Sequence, residues 1–207
     1  MGIVSELYKA KQRDFSERLR EMTDPRVVYV TDLVSCSYKR VMRLQFPLLS
    51  FRFEPSLVLG DLVHAGLGSL LASRGWETEV PIERKYIIDG EEYILKGRID
   101  LLKRNDDGKP HTIVEIKTSR ELPENSPREH HIMQLRIYME LTGAKRGYLL
   151  YVTPDRLVEF EVEPSSVDVE ALLRETIYNL RAPRYDWECR YCSYRKICPF
   201  ARLGRHS

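Results

Sequence analysis

The chain has 207 residues, 43% of them hydrophobic and 31% charged, and its formal net charge is +2. This length supports one main domain with at most a small second lobe, and this composition excludes a disordered or collagen-like chain. The apolar stretch Pro55–Ala72 is interrupted by Asp61 and His64, which argues against a membrane span, and the amino terminus lacks the apolar block of a signal peptide. We therefore expect a compact cytoplasmic protein that is not bound to a membrane.

Helical periodicity dominates the first third of the chain. The spacing of apolar residues predicts helices over residues 4–22, from 31 or 35 to 44, and over 56–74. The second of these helices begins near Cys36. The third is apolar nearly all round, which predicts a buried helix that carries His64 into the core.

After residue 77 the pattern changes to strands and then alternates. It predicts strands over residues 80–88, 93–102 and 112–117, a helix over 127–141, a hairpin of 147–152 with 157–162, and a helix over 165–180. This order predicts an α/β (α+β) fold in which helices flank a mixed sheet.

Two acidic residues and a lysine interrupt otherwise apolar strands. Asp100 ends the sequence Gly-Arg-Ile-Asp, and Glu115 and Lys117 stand in Glu-Ile-Lys-Thr. Because side chains alternate along a strand, Glu115 and Lys117 share a face, and the short connection between the strands allows Asp100 to lie beside them. Two close carboxylates repel, and oxygen ligands of this kind select Mg²⁺ or Mn²⁺. A solvent-facing ladder of ion pairs is the alternative, since Glu-x-Lys alone is a common tripeptide.

The order of further polar residues favours the metal site. His64 precedes the two strands, and Gln134 and Tyr138 follow them at i and i+4, on one face of a helix. A helical His, Gly-x-x-Asp, Glu-x-Lys-Thr and Gln-x-x-x-Tyr in this order resemble the RecB-like branch of the PD-(D/E)-x-K nuclease superfamily. The resemblance covers residues 59–138 and implies a restriction-endonuclease-like fold. The proline in the superfamily's name is absent, because Ile99 precedes Asp100.

The resemblance implies a role for each matching residue. An imidazole ligand would favour Mn²⁺ over Mg²⁺. A histidine on an apolar helix is also a common core residue, and Asp61 one turn earlier could be its partner or a rival ligand. His130 and His131 are interpreted as surface residues or secondary phosphate contacts. The implied roles are metal ligation by His64, Asp100, Glu115 and the backbone carbonyl of Ile116, catalysis by Asp100, Glu115 and Lys117, and contact with DNA or support of the site by Gln134 and Tyr138.

The four cysteines comprise one distant residue and one local group. Cys189, Cys192 and Cys198 have the spacing C-x2-C-x5-C, and Cys36 lies far upstream. Four thiolates suit one zinc ion or one iron-sulfur cluster, whereas disulfides are rare in a reducing cytoplasm. A RecB-like core between one early and three late cysteines resembles the CRISPR-associated iron-sulfur exonucleases. That resemblance implies one structural cluster ligated by all four cysteines, and the spacing fits both a two-iron and a four-iron cluster.

The chain is therefore predicted to have three parts. Residues 1–55 form amino-terminal helices that contribute Cys36 to a small iron-sulfur lobe, residues 56–180 form the nuclease core, and residues 181–207 form a basic cluster-binding segment. This last segment holds seven basic residues, two acidic ones and five aromatic rings. Cations bind phosphates and rings stack on bases, whereas the plainer interpretation is a solvated tail with its rings packed on a small core. The predicted DNA contacts in this segment are Arg190, Tyr191, Arg195 and Lys196.

These observations predict a metal-dependent exonuclease that degrades single-stranded DNA. By resemblance it would act from 5′ ends and trim DNA before its integration as CRISPR spacers, with the integrase proteins as candidate partners. One alternative is a repair nuclease that works with a helicase, and another is a zinc-stabilised DNA-binding module without enzymatic activity. No Gly-Lys-Ser/Thr phosphate-binding loop is present, which argues against a fused helicase. The sequence leaves the oligomeric state open.

Overall fold

The structure, a computed structural model, describes residues 2–122, 124 and 126–202. The predicted basic segment extends further, and its Arg205 lies outside the described residues. In chain order the elements are α1 (Ile3–Met22), β1 (Val27–Tyr29), α2 (Val30–Leu33), α3 (Tyr38–Gln45), a 3₁₀ helix (Pro47–Ser50), α4 (Pro55–Ala72), β2 (Glu77–Ile88), β3 (Glu91–Arg104), β4 (Pro110–Thr118), α5 (Glu129–Thr142), β5 (Arg146–Val152), β6 (Leu157–Val162), α6 (Val169–Ile177) and α7 (Glu188–Tyr191).

The described residues divide into two compact units, each built from separate stretches of chain. Unit 1 comprises those within Met1–Glu54, Arg84–Leu95 and Glu170–Ser207, and unit 2 comprises those within Pro55–Glu83 and Lys96–Val169. The long strands β2 and β3 belong to both units, because each passes from one into the other. The functional division at residues 55 and 180 stays a prediction.

Within the described part of the chain, six strands form one mixed sheet in the order β1-β3-β4-β5-β6, with β2 paired to β3. β3 and β4 are antiparallel with Leu101 opposite Val114, and β4 and β5 are parallel with Glu115 opposite Leu149. A parallel neighbour requires a crossover connection, which α5 supplies. In unit 2, α4 and α5 both pack against β4. The predicted mixed sheet flanked by helices is confirmed.

Burial of β4 explains its composition. Residues 112–116 of this strand are all buried. Val114 and Ile116 pack with Leu101 and with side chains of α4 in one apolar cluster. Since side chains alternate along a strand, Glu115 points to the opposite face of the sheet. A carboxylate in such a strand costs free energy unless it is partnered, so its presence indicates a function.

α5 approaches β5 closely because Gly147 has no side chain. A Cβ atom at this position would lie 2.5 Å from the sulfur of Met139 and 3.2 Å from the side chain of Leu135. The helix ends at Gly143, whose φ of 73° is a left-handed conformation that favours glycine. This packing holds the buried face of α5, which includes Gln134, against the sheet.

α4 is less buried than its composition predicts, so the expectation of a buried helix is wrong. Among the described residues of α4, Gly68 is buried, and Val63 and Leu67 are partly buried against the sheet. Leu62 and Leu70 are more than half exposed. The helix covers one face of the sheet instead of lying between two layers. By length and composition alone, it is the one described helix that could cross a membrane.

In unit 1 the helix expected to reach Leu44 is interrupted. Residues 34–37 separate α2 from α3, and Cys36 lies in this non-helical turn. Asp32 stabilises the arrangement, because its carboxylate accepts a hydrogen bond from the backbone N–H of Tyr29 at 2.9 Å. The same carboxylate forms a two-oxygen ion pair with Arg43, with both distances 2.8 Å.

Candidate active site

Asp100 on β3 links the helix α4 to the strand β4. Its Oδ2 accepts a hydrogen bond from the backbone N–H of Ile116 at 2.7 Å, and its Oδ1 lies 3.2 Å from Nδ1 of His64. The carboxylate is therefore held across the antiparallel strand pair with one oxygen directed to the imidazole. The structure thus brings together His64, Asp100 and Ile116, which are three of the four residues predicted to bind the metal. That the carbonyl of Ile116 is a ligand stays a prediction.

Glu115 and Lys117 lie on one face of β4 and share a partner on α5. Oε1 of Glu115 accepts hydrogen bonds from Nζ of Lys117 and from Nε2 of Gln134, both at 2.8 Å. Lys117 also donates to Oε1 of Gln134 at 3.0 Å. The second oxygen of Glu115, Oε2, is buried and has no hydrogen-bond partner among the described residues. Because an unpaired buried oxygen costs free energy, Oε2 is suited to bind a cation.

Two carboxylates at this site influence each other's protonation. Burial raises the pKa of Glu115 above the ordinary glutamate value, and repulsion by Asp100 adds to this effect, while Lys117 and His64 oppose it. The pKa of His64 is raised, mainly by its hydrogen bond to Asp100, although burial opposes the rise. A divalent cation would relieve this concentration of negative charge.

Glu79 on β2 is a further candidate ligand that the sequence analysis missed. Its Oε1 lies 3.9 Å from Nδ1 of His64. Ligand atoms of His64, Glu79 and Asp100 all lie within 4.8 Å of one another. No local pattern separates Glu79 from Glu77 and Glu83 on the same strand, and only the folding of the strand brings it to the site. Asp61, the other acidic residue considered for His64, is exposed.

The pair on α5 is buried within the protein. Gln134 is 6% exposed and Tyr138 is 2% exposed. Gln134 bridges Glu115 and Lys117, and the hydroxyl of Tyr138 accepts a hydrogen bond from the backbone N–H of Arg98 at 3.2 Å. Their observed contacts support the geometry of the site. Contact of either side chain with DNA stays a prediction.

His130 and His131 are half-buried, so their interpretation as surface residues is wrong. Nδ1 of His131 lies 2.7 Å from the hydroxyl of Tyr151, and the two imidazole rings are 4.1 Å apart. Burial, together with the charge of Lys117, lowers the pKa of His130 to about 4 and that of His131 to about 2. Both rings are therefore neutral at physiological pH, which does not suit a contact that relies on positive charge.

All four cysteines are free thiols in unit 1. Burial raises the pKa of Cys198, and the charges of Cys192 and Cys189 add to this rise, while the charge of Cys198 contributes to the raised pKa of Cys36. Burial raises the pKa of Cys36 to about 11. Such a thiol is a poor nucleophile, which favours a structural role.

Glu188 joins the turn around Cys36 to the carboxy-terminal segment, and the sequence analysis did not identify it. Its Oε1 accepts a hydrogen bond from the backbone N–H of Cys36 at 2.7 Å. Its Oε2 accepts from the backbone N–H groups of Arg184 and Tyr185, both at 2.9 Å. One side chain therefore connects the distant cysteine to the segment that carries the other three.

The predicted DNA-contacting residues Arg190, Tyr191, Arg195 and Lys196 are all exposed. The guanidinium of Arg190 lies 5.7 Å from the ring centre of Tyr191, and Arg195 donates a hydrogen bond to the carbonyl of Arg190 at 3.1 Å. The five rings of the segment differ, because Tyr194 is 2% exposed whereas Tyr191 is 63% exposed. The plainer interpretation therefore fits Tyr194, and DNA contact by the exposed residues stays a prediction.

The nuclease-like site has the donors that a divalent cation requires. A carboxylate oxygen of Asp100 lies 3.2 Å from the imidazole of His64, and one oxygen of the buried Glu115 has no hydrogen-bond partner among the described residues. Oxygen donors with one nitrogen suit Mn²⁺ and Mg²⁺. The residues present therefore fit a divalent metal ion.

Comparison with known proteins adds two close similarities. Over 193 residues the chain is 39% identical to the CRISPR-associated exonuclease Cas4 of Saccharolobus solfataricus, covering 91% of this chain and 95% of that protein. The crystal structure of SSO0001 matches with a TM-score of 0.86 at 37% identity and covers 98% of each chain.

More distant proteins share the fold. An alkaline exonuclease from Laribacter hongkongensis, LHK-Exo, matches with a TM-score of 0.50 at 15% identity, covering 78% of this chain and 90% of that one. Residues 68–199 match the family model of the PD-(D/E)XK nuclease superfamily, whose members use divalent metal ions. With its acidic site, its mixed sheet and these similarities, the chain belongs to the Cas4 family of CRISPR-associated exonucleases, within the PD-(D/E)XK nuclease superfamily.

Proposed function

We propose that this exonuclease degrades single-stranded DNA from 5′ ends and trims DNA fragments before they are integrated as CRISPR spacers. Two contacts carry this proposal: His64 lies beside Asp100, and Lys117 donates a hydrogen bond to Glu115. The other oxygen of Glu115 is buried and has no hydrogen-bond partner among the described residues, which leaves it available to a cation. Membership of the Cas4 exonuclease family supports this proposed reaction. Its setting would be the cytoplasm, with single-stranded DNA as substrate and the CRISPR integrase proteins as partners.

The proposed metal ligands are the imidazole of His64, the carboxylates of Asp100 and Glu115, and the carbonyl of Ile116. The bound Mn²⁺ or Mg²⁺ would polarise the scissile phosphate and lower the pKa of water to make a nucleophile. The backbone N–H of Ile116 holds Asp100 in place, and Gln134 holds Glu115. These hydrogen bonds orient the ligands before the substrate arrives, so less reorganisation is needed during the reaction.

Among the described residues, two groups accept hydrogen bonds from Lys117, which leaves one donor for the substrate. Its ammonium group carries three N–H bonds, and two of them are directed to Glu115 and Gln134. The side chain is 20% exposed, so the third N–H can reach a phosphate oxygen. There it would stabilise the negative charge that develops on the phosphate in the transition state.

The proposal includes one structural iron-sulfur cluster ligated by Cys36, Cys189, Cys192 and Cys198. All four cysteines are free thiols within unit 1, and soft thiolates are the usual ligands of such clusters. Glu188 and Ser37 support the same closure, because Ser37 exchanges backbone and side-chain hydrogen bonds with Arg181 at 2.9 to 3.2 Å.

The proposed DNA grip is the exposed basic and aromatic surface formed by Arg190, Tyr191, Arg195 and Lys196. Cations on this surface would neutralise phosphates, and the 63% exposed ring of Tyr191 would stack on a base. Binding through these residues should weaken as the salt concentration rises, because counterions are released when phosphates are neutralised.

Hydrolysis of matched DNA substrates tests the proposal. Single strands labelled at the 5′ end or the 3′ end and a circular single strand would be incubated with Mn²⁺, with and without chelator. We expect nucleotides to be released from 5′ ends, circles to remain intact, and chelator to stop the reaction. Lys117→Ala should be inactive, whereas Lys103→Ala, which changes a lysine on β3 placed over the ring of Trp76, should be active.

Three outcomes would count against parts of this proposal. Release from 3′ ends would overturn the polarity, and cutting of circles would overturn a strictly exonucleolytic reaction. Undiminished hydrolysis by Lys117→Ala would overturn the assigned site.

A further inference from the structure

Glu79 directs one oxygen toward the proposed metal site and uses the other elsewhere. Its Oε2 forms an ion pair with Nε of Arg98 at 2.6 Å, and its Oε1 lies 3.9 Å from Nδ1 of His64. A carboxylate oxygen of Glu79 also falls within the 4.8 Å group of ligand atoms that includes Asp100. Arg98 therefore holds one oxygen of the carboxylate and leaves the other on the side of His64.

The backbone of β2 has an unusual conformation at this residue. Glu79 has a φ of 54°, in the left-handed region that residues other than glycine rarely adopt. The regular alternation of a strand is therefore broken where the carboxylate meets His64. In a functional site, such a conformation is retained when it aims a side chain that the reaction needs.

Glu77, two residues earlier on β2, provides a contrast. It also pairs with an arginine of β3, and both of its oxygens contact Arg104, at 2.5 and 3.3 Å. The two glutamates are similarly exposed, at 45% for Glu77 and 40% for Glu79. Glu77 is an ordinary surface ion pair, whereas Glu79 keeps one oxygen near His64 and Asp100.

We propose that Glu79 is a further ligand of the divalent cation and binds it through Oε1. An independent observation supports a cation here, because Oε2 of the buried Glu115 has no hydrogen-bond partner among the described residues, and the adjacent residue Ile116 donates its backbone N–H to Asp100 at 2.7 Å. Ligand atoms around one such ion lie about 3 to 4 Å apart, since each bond is about 2.1 Å long. The 3.9 Å separation of Glu79 and His64 fits this range. The inference rests on the proposed nuclease site and adds a residue outside its sequence motif.

Mn²⁺ affinity tests the inference without relying on DNA hydrolysis. The dissociation constant for Mn²⁺ would be measured by following the electron paramagnetic resonance signal of free Mn²⁺ during titration. In Glu79→Gln we expect this dissociation constant to rise about 10-fold or more, because the loss of a residue that contacts a metal site typically weakens binding by that factor. In the matched control Glu77→Gln it should change less than about 2-fold, because an exposed charge at a distance is screened by salt.

A second variant separates ligation from folding. Glu79→Asn removes both the charge and the reach of the side chain, and asparagine is enriched in the left-handed conformation that this residue adopts. It should melt no lower than the wild type and still bind Mn²⁺ about 10-fold more weakly. Equal affinities for Glu79→Gln, Glu79→Asn and Glu77→Gln would overturn the inference.

Asp100→Asn, measured in parallel, shows which proposal has failed. If it weakens Mn²⁺ binding and the Glu79 variants do not, only the role of Glu79 is wrong. If Asp100→Asn also binds Mn²⁺ normally, the proposed nuclease site itself is wrong.

Discussion

Glu115 has two oxygen atoms in different surroundings. Oε1 accepts hydrogen bonds from Lys117 and Gln134, whereas Oε2 is buried without one among the described residues. A buried carboxylate next to Asp100 is unfavourable for folding when no cation is bound, and the raised pKa of Glu115 expresses this cost. At the scale of single residues, the feature that suits metal binding therefore lowers stability.

Glu115→Gln should abolish DNA hydrolysis, with a loss of at least about 100-fold, because an amide replaces the carboxylate at the metal. In the presence of chelator its melting temperature should equal or exceed that of the wild type, because a disfavoured buried charge is removed. Glu161→Gln is the control, since Glu161 is an exposed residue of β6 that accepts a hydrogen bond from Tyr148 at 3.3 Å. Normal hydrolysis by Glu115→Gln, or a much lower melting temperature, would contradict this account.

His131 makes the stability of the fold depend on pH. Burial lowers its pKa to about 2 in the folded protein, whereas an unfolded histidine titrates near pH 6.5. Below about pH 6.5 the unfolded chain binds a proton that the folded chain does not, so stability falls as the pH falls. The slope for one histidine is at most about 1.4 kcal/mol per pH unit.

His131→Asn should therefore lose less free energy of unfolding than the wild type between pH 7 and pH 5, as measured by urea denaturation at each pH. The hydroxyl of Tyr151 is the hydrogen-bond partner of the imidazole, and asparagine keeps a polar group near this hydroxyl. Above pH 7 both proteins should show the same dependence, because the histidine is neutral in both states. Equal losses on acidification would show that His131 is not a source of the acid sensitivity.

At the scale of elements, the distance between α5 and β5 positions Gln134. Gly147 allows this approach, since the side chains of Met139 and Leu135 occupy the space next to its Cα. Gln134 on the same helix bridges Glu115 and Lys117. The packing of a helix on a strand, several residues away from the chemistry, thus controls the geometry of the site.

Gly147→Ala should lower the free energy of unfolding by about 1 to 3 kcal/mol, because the added methyl group forces the helix or its side chains to shift. It should also reduce hydrolysis at temperatures where the variant is folded. Gly66→Ala is the matched control, because a Cβ atom there meets nothing within 4 Å, and alanine in a helix is favoured by up to about 1 kcal/mol. Unchanged stability in Gly147→Ala would contradict the packing argument.

At the scale of the whole molecule, unit 1 joins stretches that are far apart in the sequence. The hydrogen bond from Cys36 to Glu188 spans 152 positions, and Ser37 and Arg181 are joined across 144. Closing a loop of about 150 residues by a covalent link restricts the unfolded chain by roughly 5 kcal/mol in the chain-entropy model. The proposed cluster would supply such a link, and its contribution would rival the stability of a small domain.

Cys36→Ser should therefore bleach the visible absorbance of anaerobically purified protein and lower its melting temperature. Hydrolysis should fall as a consequence of the altered shape. Assays of iron and acid-labile sulfide, run on the same samples as the melt, identify the bound group. A colourless wild-type protein that carries one zinc ion would overturn the cluster and would leave the nuclease site unaffected.

Periodicity predicted most elements because it is a local property. The alternation of side chains located β2, β3 and β4, and the helical spacing located α1 and α5. The burial of α4 was predicted wrongly, because an apolar sequence does not reveal how many of its sides are covered by other elements. The pair His130 and His131 was misjudged for the same reason.

The sequence by itself determined the order of the elements, the family, and the candidate residues that share a motif, such as Asp100, Glu115 and Lys117. These features depend on spacing within a strand or helix and on the order of residues along the chain. Only the tertiary structure decided that Glu79 lies beside His64 and that Glu188 holds Cys36. Both contacts join residues from separate elements, and neither Glu79 nor Glu188 differs in its local pattern from an ordinary surface glutamate. Their positions follow from strand pairing and chain closure, which no window of neighbouring residues contains.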